Sequence, residues 1–173
     1  ADELGLVIRN FNFVESDKNL NHYDFCYESV VGDRVINAIS PYVKLETSLM
    51  SYAFPTEERE LGNYILDALG GEEKELIATY DLGTFSMRVQ SLNRTLIDKV
   101  FAVCDYYLQD KPHRNARHLY DIYKLTEHVE MGSDFLELVN EVRAHRITME
   151  SEIAPAAPLD VNIVELVQKL CDE

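Results

Sequence analysis

Lys99 and Asp121 are two ionisable residues that helix packing alone does not require. Lys99 closes the run Arg94-Thr-Leu-Ile-Asp-Lys99, and Asp121 lies within Asn115-Ala-Arg-His-Leu-Tyr-Asp121-Ile-Tyr-Lys-Leu125. Arg117 and Asp121 are spaced i, i+4 and therefore share a helical face. Both runs sit in helical patterns. The first is expected to start at Thr95, with Asp98 three residues on in a near-capping box. Leu96, Ile97, Val100, Phe101, Val103, Cys104, Tyr107 and Leu108 then supply its apolar positions. Lys99 falls one turn after Thr95 in this reading, where the helix dipole slightly disfavours a cation. The second helix is expected to begin near Asn115. A cation and an anion on consecutive helices can meet across an antiparallel pair. They then form either an interhelical ion pair, worth about 0–1 kcal/mol if exposed, or a site for charged chemistry. Tyr120 and Tyr123 are read as core residues rather than as base-stacking platforms.

Thr95-x-x-x-Lys99 followed by Arg117-His-x-Tyr-Asp121-x-x-x-Leu125 resembles, in order, spacing and residue type, the two C-terminal motifs of the AbiEii/AbiGii-type nucleotidyltransferase toxin family. The resemblance implies transfer of a nucleoside monophosphate from an NTP to an acceptor, in some relatives the 3′ end of tRNA. It also implies a bacterial toxin–antitoxin or phage-defence role and neutralisation through a cognate antitoxin. Such chemistry uses Mg²⁺ held by carboxylates, and a cation for the triphosphate. By resemblance Lys99 grips triphosphate oxygens, and Asp121 either orients Lys99 or assists the acceptor. Arg117 steadies Asp121 or touches phosphate. Glu46, in Val43-Lys-Leu-Glu46, resembles the third, metal-binding carboxylate of such enzymes; its other reading is a solvent-facing Glu on an alternating strand.

The family's first two motifs, a Gly-Ser or Gly-Gly phosphate turn and an Asp-x-Asp/Glu metal pair, are not found in the sequence. Gly70-Gly71 stands at the end of an expected helix. The chain is therefore expected to be the C-terminal portion of such an enzyme, lacking metal-dependent catalysis and bound cofactor by itself. The alternatives are a catalytically inactive homologue that binds nucleotide or a protein partner, and an unrelated interaction module.

Composition narrows the class. With 173 residues, 46% of them hydrophobic, the chain can bury a proper core. No apolar run approaches the roughly 18 residues that span a bilayer, so no membrane role is expected, and no signal peptide is visible. Cys26, Cys104 and Cys171 show no ligand spacing and read as reduced thiols, most simply buried small hydrophobes, in a cytoplasmic protein. A formal charge of −15 argues against a general nucleic-acid coat. Locally, Lys111, His113, Arg114, Arg117 and His118 cluster with few acids between them, as a basic patch or a solvated loop.

The remaining elements must position these residues. Residues 1–5 read as a helix end capped by Gly5, 6–14 as a strand, 16–21 as a turn and 22–31 as a half-buried strand. Tyr42 to Leu49 reads as a third strand. A helix is expected from Thr56 to Gly70-Gly71, 72–82 is ambiguous, and 85–91 is a strand. A helix from Ser133 to about His145, a linker or turn at Ala154–Pro158 and a helix from Asp160 complete the chain. The fold class is α+β, a partial nucleotidyltransferase-like sheet followed by a C-terminal helical bundle. The expected domains are 1–91, the remainder of the nucleotidyltransferase-like domain, and 92–173, the helical domain with the Lys/Asp motifs.

Overall fold

The computed structural model describes residues 5–9, 15–16, 20–28, 40, 42–48, 54–70, 72–111, 113 and 115–172. The fold is α+β, in two compact units, Ala1–Tyr52 and Ala53–Glu173. The expected domain division fell instead after residue 91, so the structural boundary places two further strands with the helices.

In the first unit, β1 (Val7–Ile8), β2 (Glu15–Ser16), β3 (Leu20–Cys26) and β4 (Tyr42–Ser48) form one antiparallel sheet. β4 pairs along all of β3, while β1 and β2 pair with its two ends. The expected alternation appears in the register. Tyr23 and Phe25 oppose Leu45 and Val43, and His22 and Asp24 oppose Glu46 and Lys44. Asp24 is the buried one of these, held by Arg9 at 2.7 Å, and the Arg9 guanidinium also lies 4.3 Å from the Tyr42 ring centre. Of the helix end expected over residues 1–5 only Gly5, at φ 65°, is described, and most of the strand expected over 6–14 also lies outside the described residues.

The second unit opens with β5 (Thr56–Leu61), which pairs antiparallel with β6 (Phe85–Gln90). This corrects the helix expected from Thr56. Glu57-Glu58-Arg59-Glu60 offers no apolar helical stripe, and Gly62 interrupts any continuation. The helix α1 (Tyr64–Leu69) instead starts after Asn63, whose Oδ1 accepts the Leu66 N–H at 2.9 Å. Gly70 ends it as expected, in the left-handed conformation at φ 59°. The ambiguous stretch forms α2 (Lys74–Thr79).

Four longer helices follow: α3 (Leu92–Leu108), α4 (Asn115–Thr126), α5 (Ser133–Ile147) and α6 (Ile163–Asp172). α3 is the centre of the bundle. Its Ile97, Phe101, Val103 and Cys104 pack with Val142 of α5 and Leu166 of α6. Ala154, Ala156 and Ala157 are 2% exposed or less, so the expected linker is an irregular segment inserted into the core. Proline on either side keeps it from becoming helical, and small side chains let its backbone approach α3. The last helix starts later than Asp160, because Asn162 Oδ1 accepts the Glu165 N–H at 3.3 Å and sets the start there.

A buried ion pair locks this arrangement. Asp105 of α3 takes a hydrogen bond from Arg146 of α5 and another from the Ala156 N–H at 2.9 Å. The Arg146 guanidinium lies 4.9 Å from the Phe101 ring centre. Burial pushes the Asp105 carboxyl up, and the Ala156 N–H and Arg146 oppose that shift.

Candidate active site

The site is built on α3 and α4, joined by a short connection. Tyr106 stacks on His118 near that connection, and Lys99 meets Asp121 farther from it, the order of contacts in an antiparallel pair. α3 begins earlier than its sequence suggests. Ser91, not Thr95, is the cap: its Oγ accepts the Arg94 N–H at 3.2 Å. The Thr95 hydroxyl donates back to the Ser91 carbonyl at 2.9 Å, from inside the helix. Asp98 is likewise no capping residue. It accepts from Arg94 Nε at 3.1 Å and from Gln90 Nε2 at 3.0 Å. Arg94 is buried and also donates to the Phe54 carbonyl at 2.8 Å, so this group ties the start of α3 to the β5–β6 pair. Lys99 thus lies two turns inside α3, beyond the reach of the dipole at its start.

Lys99 Nζ is 2.8 Å from Asp121 Oδ2, and the two side chains are 26% and 31% exposed, open enough for a ligand to reach. Lys99, by its hydrogen bond and its charge, holds the Asp121 carboxyl below the usual carboxylate range, with burial opposing and Arg117 assisting. Arg117 itself is exposed and makes no ion pair among the described residues. It does not steady Asp121 by contact; it acts through space.

The expected basic cluster divides. Lys111 and His113 are exposed, Lys111 donates to Gln109 Oε1 at 3.0 Å, and Arg114 lies outside the described residues. His118 is no part of a solvated loop. It is buried, with its ring centre 5.6 Å from that of Tyr106. Burial pushes its imidazole below the ordinary value; Lys99 and Arg117 push the same way and Asp121 opposes. The His118 Nδ1 and both amide atoms of buried Asn115 have no hydrogen-bond partner among the described residues. Tyr120 and Tyr123, read as core from the sequence, are 62% and 61% exposed. α4 packs on α3 through the face that carries Asn115 and His118, which leaves these tyrosines outside.

Glu46 lies on β4 in the first unit, directly opposite His22, whose Nδ1 is 3.0 Å from its Oε1. Among the described residues no three His, Cys, Asp or Glu side chains converge. The described carboxylates thus form no cluster that would hold a pair of Mg²⁺ ions, and no step is routed through metal. An apolar cavity of about 550 Å³ lies between α3, α5 and the start of α6. Phe101, Phe135 and Val139 line it, but neither Lys99 nor Asp121 does, so it is separate from the charged pair. Of the thiols only Cys104 is buried; Cys171 is exposed and Cys26 intermediate.

The sequence signal missed most completely is Asp105. A carboxylate within an otherwise apolar stretch of α3 was the mark of its buried partner Arg146.

The geometry defines an α+β protein with a reachable ammonium–carboxylate pair on a helical hairpin. A family model described as nucleotidyl transferase AbiEii toxin, type IV TA system, matches residues 4–173. The chain belongs to this family of nucleotidyltransferase toxins of type IV toxin–antitoxin systems. Comparisons with curated proteins and with solved structures find no match. No helix among the described residues is long and apolar enough to cross a membrane.

Proposed function

We propose that this chain contributes the Lys/Asp half of a nucleotidyltransferase site, transferring a nucleoside monophosphate from an NTP to an acceptor hydroxyl. The observation that carries this reading is the Lys99–Asp121 contact at 2.8 Å, formed by two family-motif residues that remain open to solvent. Asp121 holds the Lys99 ammonium in place before nucleotide arrives. Lys99 then takes triphosphate oxygens, and Arg117, one turn from Asp121, adds a second cation. The division of labour follows the motifs, with residues 92–173 carrying the triphosphate contacts. Mg²⁺ in such chemistry activates the acceptor and neutralises phosphate charge; apart from Glu46, the described residues are assigned no part in holding it. Glu46 stays a proposed third carboxylate on the strength of its strand alone. The acceptor is a nucleic-acid hydroxyl, the 3′ end of tRNA in the reading taken from relatives. The setting is a cytoplasmic toxin–antitoxin and phage-defence system with a cognate antitoxin, and the three free cysteines suit a reducing compartment.

The test is a titration with a fluorescent nucleoside triphosphate analogue. Lys99→Ala is expected to weaken binding roughly ten- to hundred-fold, the worth of a charge-assisted hydrogen bond. Equal binding by both proteins overturns the reading. Labelled-nucleotide transfer with Mg²⁺ in the protein as its gene encodes it then separates an enzyme from an inactive nucleotide-binding homologue, which would bind without transferring.

A further inference from the structure

β5 and β6 form a two-stranded sheet, and among the described residues neither pairs with any other strand. Two strands alone are marginal in water, and each presents an outer edge of backbone N–H and C=O groups. The two edges differ in chemistry. β5 reads Thr56-Glu-Glu-Arg-Glu-Leu61, and its Glu57, Glu58, Arg59 and Glu60 are charges of the kind that discourage a further strand from adding. β6 reads Phe85-Ser-Met-Arg-Val-Gln90, with neither proline nor glycine and with Arg88 as its one charged residue. Phe85 and Met87 are 56% and 51% exposed. β6 is the open edge.

The register sorts the side chains that this edge presents. Phe85, Met87 and Val89 share one face, opposite Leu61, Arg59 and Glu57 of β5. Ser86, Arg88 and Gln90 share the other, opposite Glu60, Glu58 and Thr56. Arg88 is exposed and makes no ion pair among the described residues, although Glu58 stands across from it. With these faces β6 is complementary to itself. When two antiparallel strands pair about a twofold axis, one residue faces its own copy. Centred on Met87, five residues of each strand pair: Phe85 faces Val89, Ser86 faces Arg88, and Met87 faces Met87. One face of the joined sheet then carries an unbroken apolar stripe, three side chains from each copy. On the other face each Arg88 lies between its own Glu58 and Ser86 of the second copy, with Glu60 of that copy one strand farther on. No like charges oppose each other in this register. Centring on Arg88 sets two guanidinium groups face to face, and centring on Ser86 pairs only three strand residues of each copy.

We propose that β6 is a homodimerisation edge, along which a second copy of this chain adds antiparallel to make a four-stranded sheet, β5-β6-β6-β5, with Met87 on the twofold axis. The charge of −15 on each copy opposes association, so the dimer tightens as salt screens that repulsion. α3 follows β6 directly, so the α3 helices of the two copies leave the joined sheet at opposite ends, and each copy keeps its own Lys99–Asp121 pair. The dimer does not depend on the nucleotidyl-transfer reading.

The experiment is sedimentation equilibrium of the full chain at high salt, up to about 1 mM protein. A monomer of 19.9 kDa in reversible exchange with a species of twice that mass is expected. Met87→Lys puts two ammonium groups on the axis and alters a side chain that is half exposed, so it should weaken the dimer roughly ten-fold or more and leave the circular dichroism spectrum unchanged. Cross-linking then reads the register. Residues that face each other across an antiparallel pair stand about 4.5–5.5 Å apart at Cα, a separation that a disulfide bridges. In a Cys171→Ser background, Met87→Cys should therefore oxidise to a covalent dimer, while Ser86→Cys, which faces Arg88, should not. A monomer throughout the concentration range overturns the dimer and leaves the edge to a strand of another protein. A dimer that Met87→Lys does not weaken, or that Ser86→Cys cross-links as readily as Met87→Cys, overturns it as well, because the copies would then meet elsewhere.

Discussion

His118 sits where burial and charge act together. Its ring rests on Tyr106, and Lys99 and Arg117 disfavour a proton on it more than Asp121 favours one. The folded-state pKa is thus below the unfolded value, so the unfolded chain binds more protons between the two. Stability associated with this group is complete above the ordinary histidine value near 6.5 and is lost as pH falls below it toward the depressed value. His118→Phe keeps a flat ring against Tyr106 and removes the titration. Denaturant unfolding as a function of pH should show a flatter profile below about pH 6.5 for this variant than for the wild type. A profile parallel to the wild type would mean that His118 is as readily protonated folded as unfolded.

At the level of elements, the start of α3 decides how the motif is presented. Ser91 caps the helix, while Thr95 only bonds back to the preceding turn. Ser91→Ala should therefore cost about 0.5–2 kcal/mol, and Thr95→Ala clearly less, in thermal or denaturant unfolding. The reverse order would restore the capping box at Thr95. The same element shows what could be read from the chain. The Lys99–Asp121 meeting was legible because two strongly periodic helices with a short connection have few ways to pack. The cap was not, because Ser91 and Thr95 both suit it. The place where the helix meets β5 is fixed by Arg94, through Asp98 and the Phe54 carbonyl, and by the Ser91 N–H, which donates to the Pro55 carbonyl at 3.0 Å. The exposure of Tyr120 and Tyr123 was not legible either. Leu119, Tyr120, Ile122, Tyr123 and Leu125 leave little to distinguish one side of α4 from the other, and the covered side proved to carry Asn115 and His118. Residues 56–61 misled for a different reason. A Thr followed by acids satisfies the start of a helix, but cross-strand pairing from Thr56↔Gln90 to Leu61↔Phe85 is a long-range term that no local window contains.

Across the whole molecule, burial is distributed unevenly. Among the described residues, every buried apolar side chain lies beyond residue 53, whereas the first unit buries Asp24. Residues 53–173 expressed alone should therefore keep a cooperative thermal transition by circular dichroism, with the helical signal of the intact chain. A gradual melt would show that the core needs the preceding unit. Within that core, burial and the charge of Asp105 push the Cys104 thiol up to about 12, with Arg146 opposing. Such a thiol is almost wholly protonated at neutral pH and shielded by the surrounding helices. Cys171, exposed on the last helix, has no such shield. An alkylating reagent thus marks Cys171 on contact and Cys104 only when the bundle parts, so the chain carries its own stopwatch for opening, with the zero of time built in.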